Sequence, residues 1–392
     1  MRQSVCHSSG KSLYGSCLGL KRLQPCVLSC ISTGRFPLMV ANSTEDCKDL
    51  PPLPVECSRH LTVTLLRHGQ STWNQQNIVQ GSTDDSTLTE KGKDQASHAA
   101  ALLQRLGWHE EFTETWASPL QRARQTAEIV HTSLHLQTDA IKYLHSLREI
   151  DLYSLQGMKK RSLQAKKSAA YAAWQQDPAG FELDGHAPVR ELWYRASIVW
   201  NTLFEKSHEN ILLVAHSAIN QAMIHTVLGL SPAFFRRIVQ SNASLSRLEF
   251  LPGDGQPGEV LIHAINRVPM TSMIAKEVSQ KNCRKIVLAC GDENHSKHVV
   301  DFIQSVDTTV SWTFTDGRGH DPEDLLESIL KQSPHSIVMV DAEACNRITK
   351  SLLGISRPQV TFVSDPGSIT LLTCPEAQKD VFTLVCSNIH VL

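Results

Sequence analysis

The sequence predicts an α/β protein: a mostly parallel sheet with helices on both faces, followed by a smaller, degenerate α/β segment. Three observations carry that expectation. From residue 61 onward, short apolar runs alternate with segments of helical periodicity. Two of those runs, Leu61 to Leu66 and Ile211 to Ala215, carry no charged residue, as strands buried on both faces do. Residues 284–392 then echo the first half: PHSIVMVDAEACNRITKSLLGIS at 334–356 follows HENILLVAHSAINQAMIHTVLGLS at 208–231, and RKIVLACGDEN at 284–294 follows HLTVTLLRHGQS at 60–71. SDPGSITLLTCP at 364–375 likewise follows SNASLSRLEFLP at 241–252.

Residues 1–44 have a composition of their own. They hold Arg2, Lys11, Lys21, Arg22 and Arg35, eight serines and no acidic residue before Glu45. A basic, Ser-rich, acid-free leader without a compact apolar stretch reads as an organelle transit peptide. Residues 45–60, with Pro51, Pro52 and Pro54, read as a linker.

The first domain is expected over 61–265. A strand ends at Arg67-His68-Gly69, and Thr89 is placed to cap a helix running to about Leu106 with Ala99, Leu102, Leu103 and Leu106 on one face. Residues 114–117 are expected as a strand, and Pro119 in the first turn of the next helix. Helical patterns follow at 163–176 and 189–205, then the strand ILLVA and a helix to about Leu228. A linker over 266–283 precedes the smaller α/β domain at 284–392.

Composition excludes several classes of function. The formal net charge is −1, so nothing favours nucleic acid or an anionic membrane surface as a partner. No apolar run reaches the roughly 18 residues of a membrane-spanning helix. Of the 11 cysteines, none falls in 58–282, so the first domain has no disulfide framework, thiolate metal site or cysteine nucleophile. The histidines show no ligand spacing, and neither a metal nor a cofactor is expected.

What remains is a small-molecule site at the carboxyl ends of the strands. His68 and His216 both fall there, Arg67 is beside His68, and Arg122 lies early in the helix after Ser118-Pro119-Leu120. Two arginines, two imidazoles and free N–H groups at strand-to-helix junctions suit a phosphoryl group if they converge.

RHGQSTWN at 67–74, SPLQRARQTAEI at 118–129, LREIDLYSLQG at 147–157 and VAHSA at 214–218 resemble, in order, the motifs of the histidine phosphatase superfamily, which includes the phosphoglycerate mutases. The resemblance covers about 61–265. It implies a phosphoglycerate mutase-like fold in which His68 attacks phosphorus. It further implies that Arg67, Arg122 and His216 surround the phosphoryl oxygens, Asn74 helps bind phosphate, and Glu149 is general acid and then base, with Asp151 as runner-up.

Residues 174–196, WQQDPAGFELDGHAPVRELWYRA, form a polar insertion in which His186 and Arg190 are candidates for a second anionic group of the ligand. Together with REIDLYSLQG this segment resembles a plant phosphatase. That resemblance implies a chloroplast enzyme acting on a sugar-acid phosphate that inhibits Rubisco, which fits the leader. Two other readings stay open at this point: a mutase that retains its phosphohistidine, and a non-catalytic sensor of a phosphorylated ligand.

The second half lacks this chemistry. Arg67 and His68 correspond to Cys290 and Gly291, and His216 corresponds to Asp341 or Ala342 according to where a one-residue gap falls. Residues 284–392 are therefore expected to have no phosphatase activity. The loop Asp316-Gly-Arg-Gly-His320 reads as the approach to a helix N-cap.

Overall fold

The computed structural model describes residue 60 onward, apart from 166–171, 173, 175, 206–208, 254–257, 269–282, 292–300, 302, 304–312, 333–334, 366–367, 376–381 and 391–392. The leader, the first linker but for its last residue and most of the second linker lie outside the described residues.

Among the described residues the twelve strands are β1 Leu61–Arg67, β2 Glu114–Ala117, β3 Ile141–Tyr143, β4 Asn210–Ala215, β5 Leu245–Leu251, β6 Glu259–Arg267, β7 Cys283–Cys290, β8 Thr313–Asp316, β9 His335–Val340, β10 Val360–Phe362, β11 Ser368–Pro375 and β12 Thr383–His390. They form one sheet in the order β3-β2-β4-β1-β5-β6-β12-β11-β7-β9-β8, with β10 also paired to β6. The longer helices among the described residues are α1 Glu90–Arg105, α2 Gln121–Ser133, α3 Pro188–Glu205, α4 Ser217–Leu228, α5 Pro322–Gln332 and α6 Ala342–Leu353.

Period-two alternation decides which side chains meet which helices. Val63, Leu65, Ile211 and Leu213 join a core with Trp193, Trp200 and Ile224 from α3 and α4. Leu66, Leu212 and Val214 face the other way, toward Ala99, Leu103, Ala127 and Val130 of α1 and α2. Both faces are covered, which is why the runs Leu61 to Leu66 and Ile211 to Ala215 carry no charged residue.

Thr89 caps α1, its side chain accepting from Gly92 N. Pro119 is a correction to the sequence reading. Leu120 is the N-cap of α2, extended at φ −69° and ψ 136°, so the proline precedes the helix while Arg122 remains in its first turn. The pattern at 163–176 begins earlier, as a short helix over Lys160–Ala165, and runs into residues outside those described. β5 is antiparallel to β1 and β6, and β6 to β5 and β12, while β10 runs parallel to β6. Nothing in their composition announced this, since strand direction follows from the connection and not from the side-chain pattern.

The second half repeats five strands of the first, β3 having no counterpart beside β8 among the described residues. β7 lies between parallel β9 and antiparallel β11 as β1 lies between β4 and β5, and β8 flanks β9 as β2 flanks β4. Register gives residue equivalences: Leu65 faces Leu213 and Ser246, whereas Leu288 faces Val338 and Thr370. Continued to the strand ends, this sets Cys290 in place of Arg67 and Asp341 in place of His216. Asp341 and His216 are each the N-cap of a 12-residue helix that ends on a left-handed glycine, Gly354 at φ 71° and Gly229 at φ 75°. The Asp341 carboxylate accepts from Ala344 N, an ordinary cap that also puts a negative charge where an anion would otherwise sit. Asp321, exposed, caps α5 by accepting from Glu323 N at 2.8 Å.

Candidate functional site

The carboxyl ends of β1, β2 and β4 bring four separated motifs together. His68 follows β1, and its backbone is held on both sides: its N–H donates to Ala215 O at 3.0 Å and its carbonyl accepts from Ala243 N at 3.2 Å. Gly69 N donates to Thr126 Oγ1 at 3.1 Å. His216, at the end of β4, sets its ring 5.1 Å from that of His68 at 59°. Its Nε2 is 2.7 Å from Ser118 Oγ. Both rings are buried.

The hydrogen bonds of His68 fix its tautomer. Nδ1 is 2.6 Å from Gly69 O, and a carbonyl only accepts, so Nδ1 carries the proton and Nε2 keeps a lone pair. Burial first, and then the charges of Arg67 and Arg122, hold His68 well below the ordinary imidazole range. His216 is lowered by burial and by Arg122, His68, Arg67 and Arg195. At neutral pH both imidazoles are therefore uncharged.

The two arginines are anchored without acids. Arg67 Nη1 donates to Gln240 O at 2.6 Å. Arg122 donates from Nη1 to Thr83 O and from Nη2 to Gly81 O, each at 2.8 Å. The Nε of each guanidinium is enclosed and unpartnered, as is Nδ1 of His216. Burial brings the pKa of both arginines down to about 10, while the charge of Glu149 acts in the opposite direction. Arg122 is buried and Arg67 half-buried; cations held by carbonyls in such surroundings leave positive charge uncompensated, and buried charges are ordinarily paired. The cup has the electrostatics of an anion site.

Glu149 stands at the start of α4. Its Oε1 accepts from Ala218 N at 3.0 Å and Ile219 N at 3.3 Å, and Oε2 from Ala218 N at 3.2 Å. His216 makes no side-chain cap of that helix, so the carboxylate from a distant loop fills the role. Asp151 is turned to its own loop, accepting from Tyr153 N at 3.0 Å. Asn74 Oδ1 accepts from Ser71 N at 3.2 Å and from Asn242 Nδ2 at 3.3 Å. Asn242 Nδ2 also donates to His68 O at 3.1 Å, so Asn74 is linked to the His68 loop.

His186 and Arg190 are engaged with acids. The His186 ring stacks on Tyr153 at 4.0 Å, and its Nδ1 is 3.4 Å from Glu191 Oε1. Arg190 Nη2 is 3.3 Å from Glu182 Oε1.

Three cations near the cup were not singled out from the sequence. Arg195 donates from Nη1 to Arg148 O at 2.6 Å and from Nη2 to Glu149 O at 2.9 Å, fixing the loop that carries Glu149. It follows Leu192 and precedes Ala196 and Val199 along the buried stripe of α3. An arginine on an apolar stripe was the available signal. Lys160 has its pKa lowered by desolvation and then by the charges of Arg67 and Arg236. Arg236 lies 4.2 Å over the Trp174 ring. Neither residue belongs to a motif, and only the fold gathers them.

The buried imidazoles make stability depend on pH. His225, whose Nδ1–H donates to Gln221 O at 2.6 Å, is lowered by burial to about 4. In the unfolded chain His68, His216 and His225 titrate near 6.5. Below that value the unfolded chain binds more protons than the folded one, so stability is fully present above about pH 6.5 and is lost as pH falls through the lowered values. For His225 alone the loss is about 3 kcal/mol. Urea midpoints should therefore fall between pH 7 and pH 4.5, and a His225→Gln variant should lose correspondingly less.

Comparison with known proteins places this geometry. The description of the histidine phosphatase superfamily, branch 1, matches residues 63–260, half of the chain. A probable 2-carboxy-D-arabinitol-1-phosphatase of Arabidopsis thaliana is 39% identical over 237 residues, 60% of this chain and 48% of that protein. The 2-carboxy-D-arabinitol-1-phosphatase of Triticum aestivum is 41% identical over 244 residues, 61% of this chain and 47% of that protein. The chain thus matches about half the length of these two plant relatives. Among solved structures, a mycobacterial glucosyl-3-phosphoglycerate phosphatase aligns over 54% of this chain and 99% of its own, at 24% identity and a TM-score of 0.46. With the family motifs matched across β1, α2 and β4, the chain belongs to the histidine phosphatase superfamily.

Proposed function

We propose that this chain is a phosphoric monoester hydrolase that works through a phosphohistidine at His68, and that its substrate is a sugar-acid phosphate, 2-carboxy-D-arabinitol 1-phosphate foremost. One observation carries the reading: a buried and a half-buried guanidinium, each with an enclosed Nε and hydrogen-bonded to carbonyls, flank an uncharged imidazole with a free Nε2 lone pair. The names of the two plant relatives support the choice of ester. A chloroplast address, read from the leader, goes with it.

His68 Nε2 attacks phosphorus as the ester P–O bond breaks. The leaving alkoxide takes a proton from Glu149, and the phosphoryl oxygens are held by Arg67, Arg122, His216 and the amide of Asn74. Water then attacks the phosphohistidine while Glu149 accepts its proton, and inorganic phosphate leaves. Removing one such phosphate contact is worth about 3 kcal/mol of barrier. Arg195, Lys160 and Arg236 add positive charge near the cup that suits a substrate carboxylate, whereas the sequence candidates His186 and Arg190 face Glu191 and Glu182.

The test is phosphate release from a panel of sugar and sugar-acid phosphates by the purified chain. Rapid turnover of a different ester removes the named substrate and leaves the hydrolase. An isomerised ester accumulating in place of free phosphate would indicate a mutase. Glu149→Gln keeps an oxygen for Ala218 N–H but has no proton to shuttle, so it should lower kcat by about 10²- to 10⁴-fold. The loss should be smaller for an aryl phosphate, whose leaving group needs no proton. A Glu149→Gln enzyme with full turnover on alkyl esters would leave this residue as a helix cap alone.

A further inference from the structure

The two halves of the chain meet through strands β6 and β12, antiparallel, with Ile265 opposite Ser387. Two buried asparagines reach across this seam reciprocally. Asn266 Nδ2 donates to Val385 O, and Asn388 Nδ2 donates to His263 O, both at 2.8 Å. Each carbonyl belongs to the residue three positions before the opposite asparagine. Both asparagines have left-handed backbones, at φ 54° and φ 51°. Such reciprocity is the signature of an isologous, two-fold interface, here built within one polypeptide.

Each asparagine also grips a strap that crosses to the other half. Asn266 Oδ1 accepts from Ser241 N at 2.6 Å, and Asn388 Oδ1 accepts from Asp365 N at 3.0 Å. The strap before Ser241 pairs with β12: Val239 N donates to Leu384 O at 2.9 Å, and Leu384 N to Arg237 O at 2.7 Å. Its counterpart, β10, pairs with β6.

The symmetry ends at the chemistry. In the first half the strap holds the site, because Gln240 O accepts from Arg67 Nη1, Ser244 O accepts from Arg67 N, and Ala243 N and Asn242 Nδ2 donate to His68 O. In the second half the corresponding carbonyl, Ser364 O, accepts from the Cys290 thiol at 3.6 Å.

We propose that the C-terminal half serves the first as a positioning module. Through Asn266 and β12 it clamps the strap at 237–243, and the strap fixes Arg67 and His68. Asn266 is a positioning residue, and this role rests on the reading of His68 as phosphoryl acceptor. A half that has lost its own chemistry keeps the interface because the interface sets the geometry of the remaining site.

The symmetry supplies its own control. Asn266→Ala and Asn388→Ala remove equivalent bonds from one seam, so both should lower Tm to a similar extent. Only the first releases the strap under the site. Asn266→Ala should lower kcat at least about tenfold with KM within about threefold, because an arginine displaced by a fraction of an ångström is felt mainly in the transition state. Asn388→Ala should keep kcat within about twofold. If Asn266→Ala does not fold, Asn266→Asp retains the acceptor for Ser241 N–H, loses the donor to Val385, and should show the same selective fall in kcat. Equal losses of kcat at positions 266 and 388, or a wild-type kcat at 266, would overturn the proposal. If the unaltered chain turns over no ester, the His68 reading fails by itself. The clamp is then read by calorimetric binding of orthovanadate to the full chain: a weaker affinity in Asn266→Ala alone supports it, and equal affinities in the two variants reject it.

Discussion

Replacing His68 by alanine should abolish phosphate release, with kcat reduced by about 10⁴-fold or more. The size of the effect follows from the lone pair. His68 Nδ1 is committed to Gly69 O, which leaves Nε2 as the nucleophile. His216, 5.1 Å away, is no substitute: its Nε2 is occupied by Ser118 Oγ. The measurement is steady-state release of phosphate together with acid-sensitive labelling of the protein by a ³²P-ester. The unaltered chain should carry a label that His68→Ala lacks. A His68→Ala protein with undiminished turnover would end the proposal. Because both imidazoles are held neutral by burial and by the flanking arginines, activity should also persist below pH 6.5 and fall only where the fold itself begins to fail.

Substituting alanine for Gly69 should damage both stability and turnover. A Cβ built at Gly69 would lie 2.2 Å from Gly92 O, and one at Gly92 would lie 2.0 Å from Gln70 O. The first turn of α1 packs directly on the His68 loop, backbone against backbone, and no side chain is available to move aside. Overpacking of this kind costs about 3 kcal/mol or more, and relief requires shifting the loop that carries the nucleophile. Gly69→Ala and Gly92→Ala should each lower the urea midpoint and reduce kcat. A Gly107→Ala variant is the control, since nothing lies within 4 Å of its Cβ. The left-handed φ of 69° there should cost about 1 kcal/mol without touching turnover.

These two glycines also show how far local sequence reaches. In the sequence Gly69 is only the last residue of the Arg67-His68-Gly69 triplet; its close approach in the structure is to Gly92, 23 residues downstream. A sequence marks where a side chain is unwelcome; the identity of the neighbour is a tertiary fact. Glu149 makes the same point. Its motif nominated it as acid, whereas its bonds to Ala218 N and Ile219 N tie that role to the N-terminus of α4.

By itself the sequence determined the parallel sheet around β1 and β4, the burial of both its faces, the cap at Thr89, and the nomination of His68, Arg67, Arg122, His216 and Glu149. Those signals are local: period-two apolar runs, a capping threonine, and motifs whose residues lie within a few positions of one another. Only the tertiary structure decided the antiparallel placement of β5 and β6, the gathering of Arg195, Lys160 and Arg236 around the cup, and the clasp by which Asn266 and Asn388 join the halves. Each of these pairs residues far apart in the chain, such as Asn266 with Val385. No periodicity or spacing encodes which distant backbone a side chain will meet, because that is fixed by how the whole sheet closes on itself.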